Sequence, residues 1–336
     1  FDMVTRARRL ILDLNSESGE FSKENQDRFE YFISKLKENG IYLVMDLQTI
    51  RVIGAGECPQ LAGQRYNYYG MFVPELIEAQ KRFITRLLAH RNPYTGLTLA
   101  EDPVLALIIF HNENSMLYQP NRNRITSPYA LKILKDRFNA YLAQKYGNRN
   151  ALKKVWKTLN DAEDPARGSV ELPMNPSGKQ YSLRRLADMR LFYYEIQKSY
   201  YHEIRTHLKK LGVRVPMTGS NHWTRDPLDF ELNAQLDYTD RHNYWSHPTA
   251  SGSWLLENIL FAPNPMILSP DGGLIGTLAG RRILGKPFTV TEWNDGSTNE
   301  YRADAQILVP AYASLHNWSI FQFTCSTRQK DGTFLR

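Results

Sequence analysis

Two glutamates stand at the polar ends of short apolar runs, and both are positioned to do acid–base or nucleophilic chemistry. The first is Glu113, in Val104–Ser115 (VLALIIFHNENS), where seven apolar residues give way abruptly to His111, Asn112, Glu113 and Asn114. The second is Glu292, in Pro287–Asp295 (PFTVTEWND), flanked by Trp293 and Asn294. A carboxylic acid that protonates a departing oxygen, paired with a carboxylate that attacks or stabilises an oxocarbenium-like carbon, is the equipment for cleaving a glycosidic bond. The pair must titrate apart, the acid with a raised pKa and the nucleophile with a low one, so their surroundings must differ.

The elements that position them follow from the same runs. A short, continuous apolar stretch rich in Ile and Val reads as a strand buried on both faces, as in a parallel sheet. In parallel α/β folds ligands gather beyond the carboxyl ends of strands, which directs Asn112 and Glu113 toward a site while His111 reads as a structural residue of the strand. The periodicity predicts helices from about Ser22 to Asn39, Pro74 to His90, Pro128 to Gly147, Ala151 to Thr158, Ser182 to Leu211, Pro227 to Gln235, Leu274 to Leu284 and Tyr301 to His316. Strands are expected at Ile41–Leu47, at the Glu113 run, at Val213–Met217, at Leu236–His242, at the Glu292 run and at Trp318–Thr324. No confident pair of strands precedes Ser22. Strand–helix alternation of this kind is the pattern of a parallel barrel or doubly wound sheet.

Composition bounds the alternatives. The 336 residues, 42% hydrophobic and 23% charged, are ordinary for a globular protein and suffice for one α/β barrel domain. No stretch approaches the roughly 18 consecutive apolar residues of a membrane-spanning helix. The net charge of +7 is spread over several helices, which argues for a solvated surface rather than nucleic-acid binding and leaves an anionic glycan as a partner to consider. Cys58 and Cys325 lie far apart without a CxxC spacing. No signal peptide stands at Phe1. Gly272, Gly273 and Gly276 do not form GxGxxG after a strand, so no nucleotide cofactor is expected; His222, His242 and Asp240 match no ligand spacing, so no metal is expected. Tyr66, Tyr68 and Tyr69, and separately Trp223, Trp245, Trp254 and Trp293, are candidates for the flat walls against which a pyranose stacks. Asp46 and Gln48, at the end of the first visible strand, are candidates for sugar hydroxyls.

Three matched places resemble the clan A retaining glycoside hydrolases, the eight-stranded barrel superfamily that includes family 5 cellulases and mannanases and family 42 β-galactosidases. Asn112-Glu113 resembles the strand-four Asn-Glu pair, His242-Asn243-Tyr244 the strand-six His-x-Tyr, and Thr291-Glu292-Trp293 the strand-seven nucleophile. Phe138–Trp156 (FNAYLAQKYGNRNALKKVW) also resembles the insertion after strand four of family 42-like enzymes, and the likeness runs from about Ser22 to Thr324. The resemblance implies one (β/α)8 barrel domain over 1–336 with a helical insertion at about 116–181, strands three to eight visible and strands one and two lacking. That predicts a piece of a longer polypeptide. It implies Glu113 as acid/base and Glu292 as nucleophile, cleaving β-linked polysaccharide or oligosaccharide by double displacement. Asn112 would donate to the sugar 2-hydroxyl, Tyr244 would hold Glu292 ionised, and His242, Asn221, Trp223, Trp245 and Trp293 would line the substrate. The stacking residue at the end of strand eight is not assigned, since Trp318 begins that strand and Phe323 ends it. A secreted, periplasmic or cell-surface location follows from the same resemblance. The rival expectations are a catalytically inactive carbohydrate-binding barrel and an anionic-glycan module relying on positive charge.

Overall fold

The computed structural model describes residues 14–15, 20–49, 51–172, 181–247, 249–250, 259–260, 263–296 and 299–322. It divides into two compact units, residues 1–220 with 226–232 and residues 221–225 with 233–336. Trp254, Phe323 and Cys325 lie outside the described residues.

The first unit opens with a two-residue antiparallel pair, β1 (Leu14–Asn15) and β2 (Glu20–Phe21), where the sequence suggested none. Helix α1 (Lys23–Glu38) starts at Ser22, whose side chain accepts from the Asn25 N–H, as expected of an N-cap. Strand β3 (Leu43–Asp46), helix α2 (Pro74–Ala89) and strand β4 (Leu105–His111) follow. After β4 come α3 (Gln119–Arg122), α4 (Pro128–Tyr146) and α5 (Arg149–Trp156), and α6 (Leu183–Lys210) then leads to β5 (Met217–Ser220) and α7 (Pro227–Ala234). The sheet runs β3-β4-β5, all parallel, with Asp46 beside Ile109 and His111 beside Ser220. Its middle strand is buried nearly throughout, which is why the sequence shows a continuous apolar run there rather than alternation.

Strand β5 is displaced from the expected Val213–Met217. Pro216 has no N–H to give the ladder, but its carbonyl accepts from Ile108 at 3.1 Å, so regular pairing begins one residue later and runs to Ser220. Gly219 in this strand meets the Tyr201 ring so closely that a Cβ would lie 2.2 Å from it. Only glycine lets α6 approach to this depth. Tyr66 and Tyr69 are fully buried, with the Arg51 guanidinium 3.9 Å from the Tyr66 ring centre, so they are core residues of their loop and not an open sugar wall; burial pushes the Tyr66 hydroxyl well above its ordinary range.

The helices α4, α5 and α6 are fastened together by polar groups as well as by the Phe138, Trp156 and Phe192 rings. Asp188 accepts from Lys145, Tyr146 and Trp156, and Arg185 forks onto Glu163, both side chains being almost completely buried. Burial alone would push the Glu163 carboxyl up, but the Arg185 guanidinium and backbone N–H donors hold it below the usual range. Removing one partner leaves a buried charge without its counterion. Arg185→Met is therefore expected to lower stability by about 3–5 kcal/mol, read as a fall in the urea midpoint, and a loss under 1 kcal/mol would show that the pair is solvated.

The second unit is built on a parallel sheet of β6 (Thr239–Asp240), β7 (Asn243–Trp245), β10 and β11, with the short antiparallel pair β8 (Thr249–Ala250) and β9 (Ile259–Leu260) between β7 and α8 (Gly273–Ala279). Then come β10 (Phe288–Asp295), α9 (Ala303–Leu315), which runs on through Pro310, and β11 (Trp318–Gln322). Of the expected strand Leu236–His242 only Thr239–Asp240 pairs, and a second piece, Asn243–Trp245, follows it beyond the expected end on the same edge of β10. The expected helix Leu274–Leu284 is shorter, ending at Gly280. Phe288, Val290, Trp293, Leu274, Leu278 and Trp318 lead the core between this sheet and α8 and α9. Among the described helices none is long and apolar enough to cross a membrane.

Candidate active site

In the first unit the candidate residues sit where β4 stops. His111 is completely buried, and burial lowers its pKa to about 4, so the ring is neutral at ordinary pH. Its Nδ1 lies 3.0 Å from the Asn112 carbonyl, which can only accept, so Nδ1 carries the hydrogen; Nε2 then accepts from the Asn114 amide at 3.3 Å. Asn114 also donates to the Asn67 carbonyl and accepts from Asn121 at 2.7 Å, while Asn112 N–H donates to the Gln48 carbonyl at 2.7 Å. One residue on, Ser115 Oγ donates within the Gln197 and Asp229 pair, and Gln197 Oε1 takes the Met116 N–H at 2.8 Å. Glu113, within this frame, has φ of 44°, a left-handed value that a non-glycine residue adopts only when its neighbours over-determine it. The residues on either side are pinned, and Glu113 between them is half-buried. Asn112 is 7% exposed.

In the second unit the decisive feature is a bulge. Thr289 stands beside Asp240 and Trp293 beside Asn243, so β10 spends one residue more than its partner between these pairs. Against β11 the same excess appears between Val290 and Trp293. The extra residue breaks the alternation, so Thr291 and Glu292 both engage the face carrying Asp240, His242 and Tyr244, and Trp293 turns to the core. Trp293 is 3% exposed and is therefore a packing residue, not the sugar wall expected from sequence.

Glu292 is gripped at one oxygen. Tyr244 donates its hydroxyl hydrogen to Oε2, and His242 Nδ1 lies 3.3 Å from the same atom. The other ring nitrogen, Nε2, is 2.9 Å from Thr291 Oγ1, which is 3.0 Å from Asp240 Oδ1. Thr291 has one hydroxyl hydrogen to share. With Asp240 ionised, Thr291 donates to it and accepts from Nε2–H; with Asp240 protonated, both bonds reverse. The first arrangement puts an N–H on Nδ1 facing Glu292 only with the ring doubly protonated, and the second does so with the ring neutral; in those two forms the group holds the same number of protons.

Asp240, completely buried, also accepts from Thr289 and the Thr291 N–H. Burial pushes its carboxyl above the ordinary range, with His242 and the two threonines opposing. The folded state therefore keeps a proton over a window in which the unfolded chain, with a pKa of about 3.9, has lost it. Stability from this group is complete below that value and is lost as pH rises through the folded pKa. The stability of the wild type relative to Asp240→Asn is expected to fall as pH rises above about 4 and then to level, as followed by urea midpoints. A difference that grows with pH would show Asp240 to be held ionised.

The remaining sequence candidates divide. The Asn221 carbonyl accepts from the His242 N–H at 2.9 Å within the second unit. His222 stacks on Trp223 with ring centres 4.4 Å apart, and Trp223 is 37% exposed, open enough to offer a face. Trp245 donates to the Asn264 carbonyl and leans on the core. Asp46 and Gln48 are buried. Asp240 and Thr291 were missed as supports of the site. The signal was present, since Asp240, His242 and Tyr244 alternate at i, i+2 and i+4 and so share one face of an extended strand.

Neither a protein-family model nor a curated protein sequence matches the chain. Solved structures do resemble it. A polyextremophilic β-galactosidase from the Antarctic haloarchaeon Halorubrum lacusprofundi aligns with a TM-score of 0.59 at 17% identity, over 96% of this chain and 48% of that one. A glycoside hydrolase family 5 mannosidase from Rhizomucor miehei aligns with a TM-score of 0.51 at 13% identity, over 95% and 70% of the two chains. An endo-1,4-β-mannanase from the same organism gives 0.51 at 13%, over 90% and 69%. The chain thus spans less than half of the β-galactosidase and about seven tenths of the Rhizomucor enzymes. These likenesses show the fold. The chain is an α/β protein of the (β/α)8 barrel type, with fewer parallel strands among the described residues than a complete barrel has.

Proposed function

We propose that the chain is a retaining β-glycoside hydrolase, with Glu292 as nucleophile and Glu113 as acid/base. The observation that carries this reading is the setting of Glu292: a strand-end carboxylate brought by a bulge onto the Asp240–His242–Tyr244 face, with a hydroxyl and a ring N–H on one oxygen. Donors aimed at a carboxylate favour its charged form and fix the direction of attack. Glu113, aimed from the end of β4 by a strained and well-braced turn, supplies the second carboxyl that the reaction requires. Attack by Glu292 on the anomeric carbon breaks the glycosidic bond while Glu113 passes its proton to the leaving oxygen. Water, deprotonated by Glu113, then displaces Glu292 and restores both groups.

Asn112, Asn221, Trp223 and Trp245 are the proposed sugar contacts beside His242 and Tyr244. The β-galactosidase and mannanase among the fold neighbours support β-linked glycans as the substrate class, and action outside the cytoplasm accords with such substrates. The test is hydrolysis of a panel of 4-nitrophenyl β-glycosides, with proton NMR of the first-formed sugar. The β-anomer is expected first, with the two carboxyl groups about 5–5.5 Å apart in a crystal structure. The α-anomer would assign inversion, and glycan binding without hydrolysis of any glycoside would leave the inactive barrel.

A further inference from the structure

Gln197 is completely buried in the middle of α6, and its neighbours one turn away on the same face, Tyr193, Tyr200, Tyr201 and Ile204, are buried too. An amide in such a place is costly unless its polar atoms are bonded, and these are. The Met116 N–H, which can only donate, lies 2.8 Å from one atom of the amide, so that atom is Oε1 and the other is Nε2. Nε2 then donates to the Tyr201 hydroxyl at 2.9 Å and to Asp229 Oδ1 at 3.2 Å. Ser115 Oγ lies 3.1 Å from Gln197 Oε1 and 3.0 Å from Asp229 Oδ1, and it accepts from the Leu117 N–H at 3.2 Å. Asp229, on α7, is completely buried as well.

These bonds fall on the backbone just after Glu113. One residue before it, the Asn112 N–H is held by the Gln48 carbonyl at 2.7 Å; one residue after it, the Asn114 N–H is held by Ser220 Oγ at 3.3 Å. Gln197 adds a hold at the second and third residues after it, and Arg122 Nη1 fixes the Met116 carbonyl from the other side at 2.6 Å. Glu113 itself keeps a φ of 44°. A non-glycine residue leaves that region once a flank is released, and rotation about its N–Cα bond carries the carboxyl with it. The reach of α6 is set by Gly219 in β5, where a Cβ would lie 2.2 Å from the ring of Tyr201, the same tyrosine whose hydroxyl takes Gln197 Nε2.

We infer that Gln197, oriented by Asp229, is a positioning residue that sets the Glu113 carboxyl for proton transfer. This rests on Glu113 being the acid/base. Gln197 acts through Ser115 and Met116, not on the reacting atoms. Proton transfer needs heavy atoms within about 2.6–3.2 Å of each other, and a displacement of about 1 Å costs up to about a hundredfold in rate. The place demands a glutamine. Methionine fills a similar volume but neither accepts from Met116 nor donates to Asp229. A glutamate keeps the acceptor and, while protonated, one donor; once ionised it sets two carboxylates side by side.

The test compares Gln197→Met with the wild type on a dinitrophenyl β-glycoside and on the β-disaccharide of the same sugar, the sugar being that of the best 4-nitrophenyl substrate. On the disaccharide kcat is expected to fall by about ten- to a hundredfold at unchanged KM, because its leaving group needs the proton. The burst rate on the dinitrophenyl glycoside, whose leaving group does not, should stay within about threefold. Equal loss on both substrates, or loss on neither, would overturn the inference. Gln197→Glu supplies a second readout and carries the comparison alone should Gln197→Met not fold. Its kcat on the disaccharide relative to the wild type is expected to be highest below about pH 5 and to drop at least about tenfold by about pH 8, as the introduced carboxyl ionises beside Asp229. A ratio that does not move with pH would overturn the positioning role. A wild type that hydrolyses no glycoside would remove the acid/base reading and this inference together; leaving-group dependence in Glu113→Ala but not in Gln197→Met would remove this inference alone.

Discussion

Glu292→Gln is expected to lower kcat on 4-nitrophenyl β-glycosides by about four to six orders of magnitude while leaving the fold intact. Glutamine keeps the volume of the side chain and an acceptor oxygen for Tyr244 and His242, so the packing around β10 has no reason to move. What it lacks is a charge and a lone pair basic enough to attack the anomeric carbon. The loss should fall on both kcat and kcat/KM, because the missing bond exists only after the ground state, whereas KM for a cleft built by other residues changes little. Turnover within tenfold of the wild type would remove Glu292 from the nucleophile role. Tm supplies the control: a change of no more than about 1 °C separates lost chemistry from lost structure. Trapping with a 2-fluoro-substituted aryl glycoside gives the positive counterpart, since the label should appear on the peptide that contains Glu292 in the wild type and be absent from the variant.

How far this site could be read from the chain depends on the kind of physics that sets each part. The β4 run and the helices at Lys23, Pro74, Pro128 and Leu183 were legible because burial and capping are local patterns. The strand ends at Glu113 and Glu292 were legible for the same reason, an apolar run stopping at a carboxylate. The bulge in β10 was not, because it is defined by the register of two neighbouring strands and leaves no mark on FTVTEWND itself. Its consequence was a wrong role for Trp293: counting from Glu292 as an ordinary strand residue cannot say which side the next residue takes. The break between β6 and β7 has the same origin, since both follow one edge of β10 across the bulge. Tyr66 and Tyr69 misled because a tyrosine-rich loop has the same composition whether it folds over its own core or opens to a ligand. Gly219 and Tyr201, which let α6 come close enough for Gln197 to hold Ser115 and Met116, are 18 residues apart and declare nothing singly.

Glu113→Ala should behave differently from Glu292→Gln, and the difference is the sharper test of its role. General acid catalysis is worth about 10²- to 10⁴-fold, and it matters in proportion to how poor the leaving group is. An unactivated disaccharide, whose alkoxide needs the proton, is expected to lose the whole factor. A dinitrophenyl glycoside, whose phenolate leaves unaided, should form the glycosyl-enzyme almost as fast as before. The second step then lacks its base, so the intermediate accumulates and a burst precedes a slow steady state. Azide needs no deprotonation, so adding it should restore turnover and give the β-glycosyl azide, the stereochemistry that two displacements require. The backbone adds a control peculiar to this position. Glu113 sits at φ of 44°, a conformation that alanine shares at the same cost but glycine accepts freely. Glu113→Gly should therefore reproduce the leaving-group dependence and azide rescue of Glu113→Ala while unfolding at a higher temperature than the alanine variant. Equal loss on activated and unactivated substrates, with no response to azide in either variant, would assign Glu113 to holding the turn rather than moving the proton.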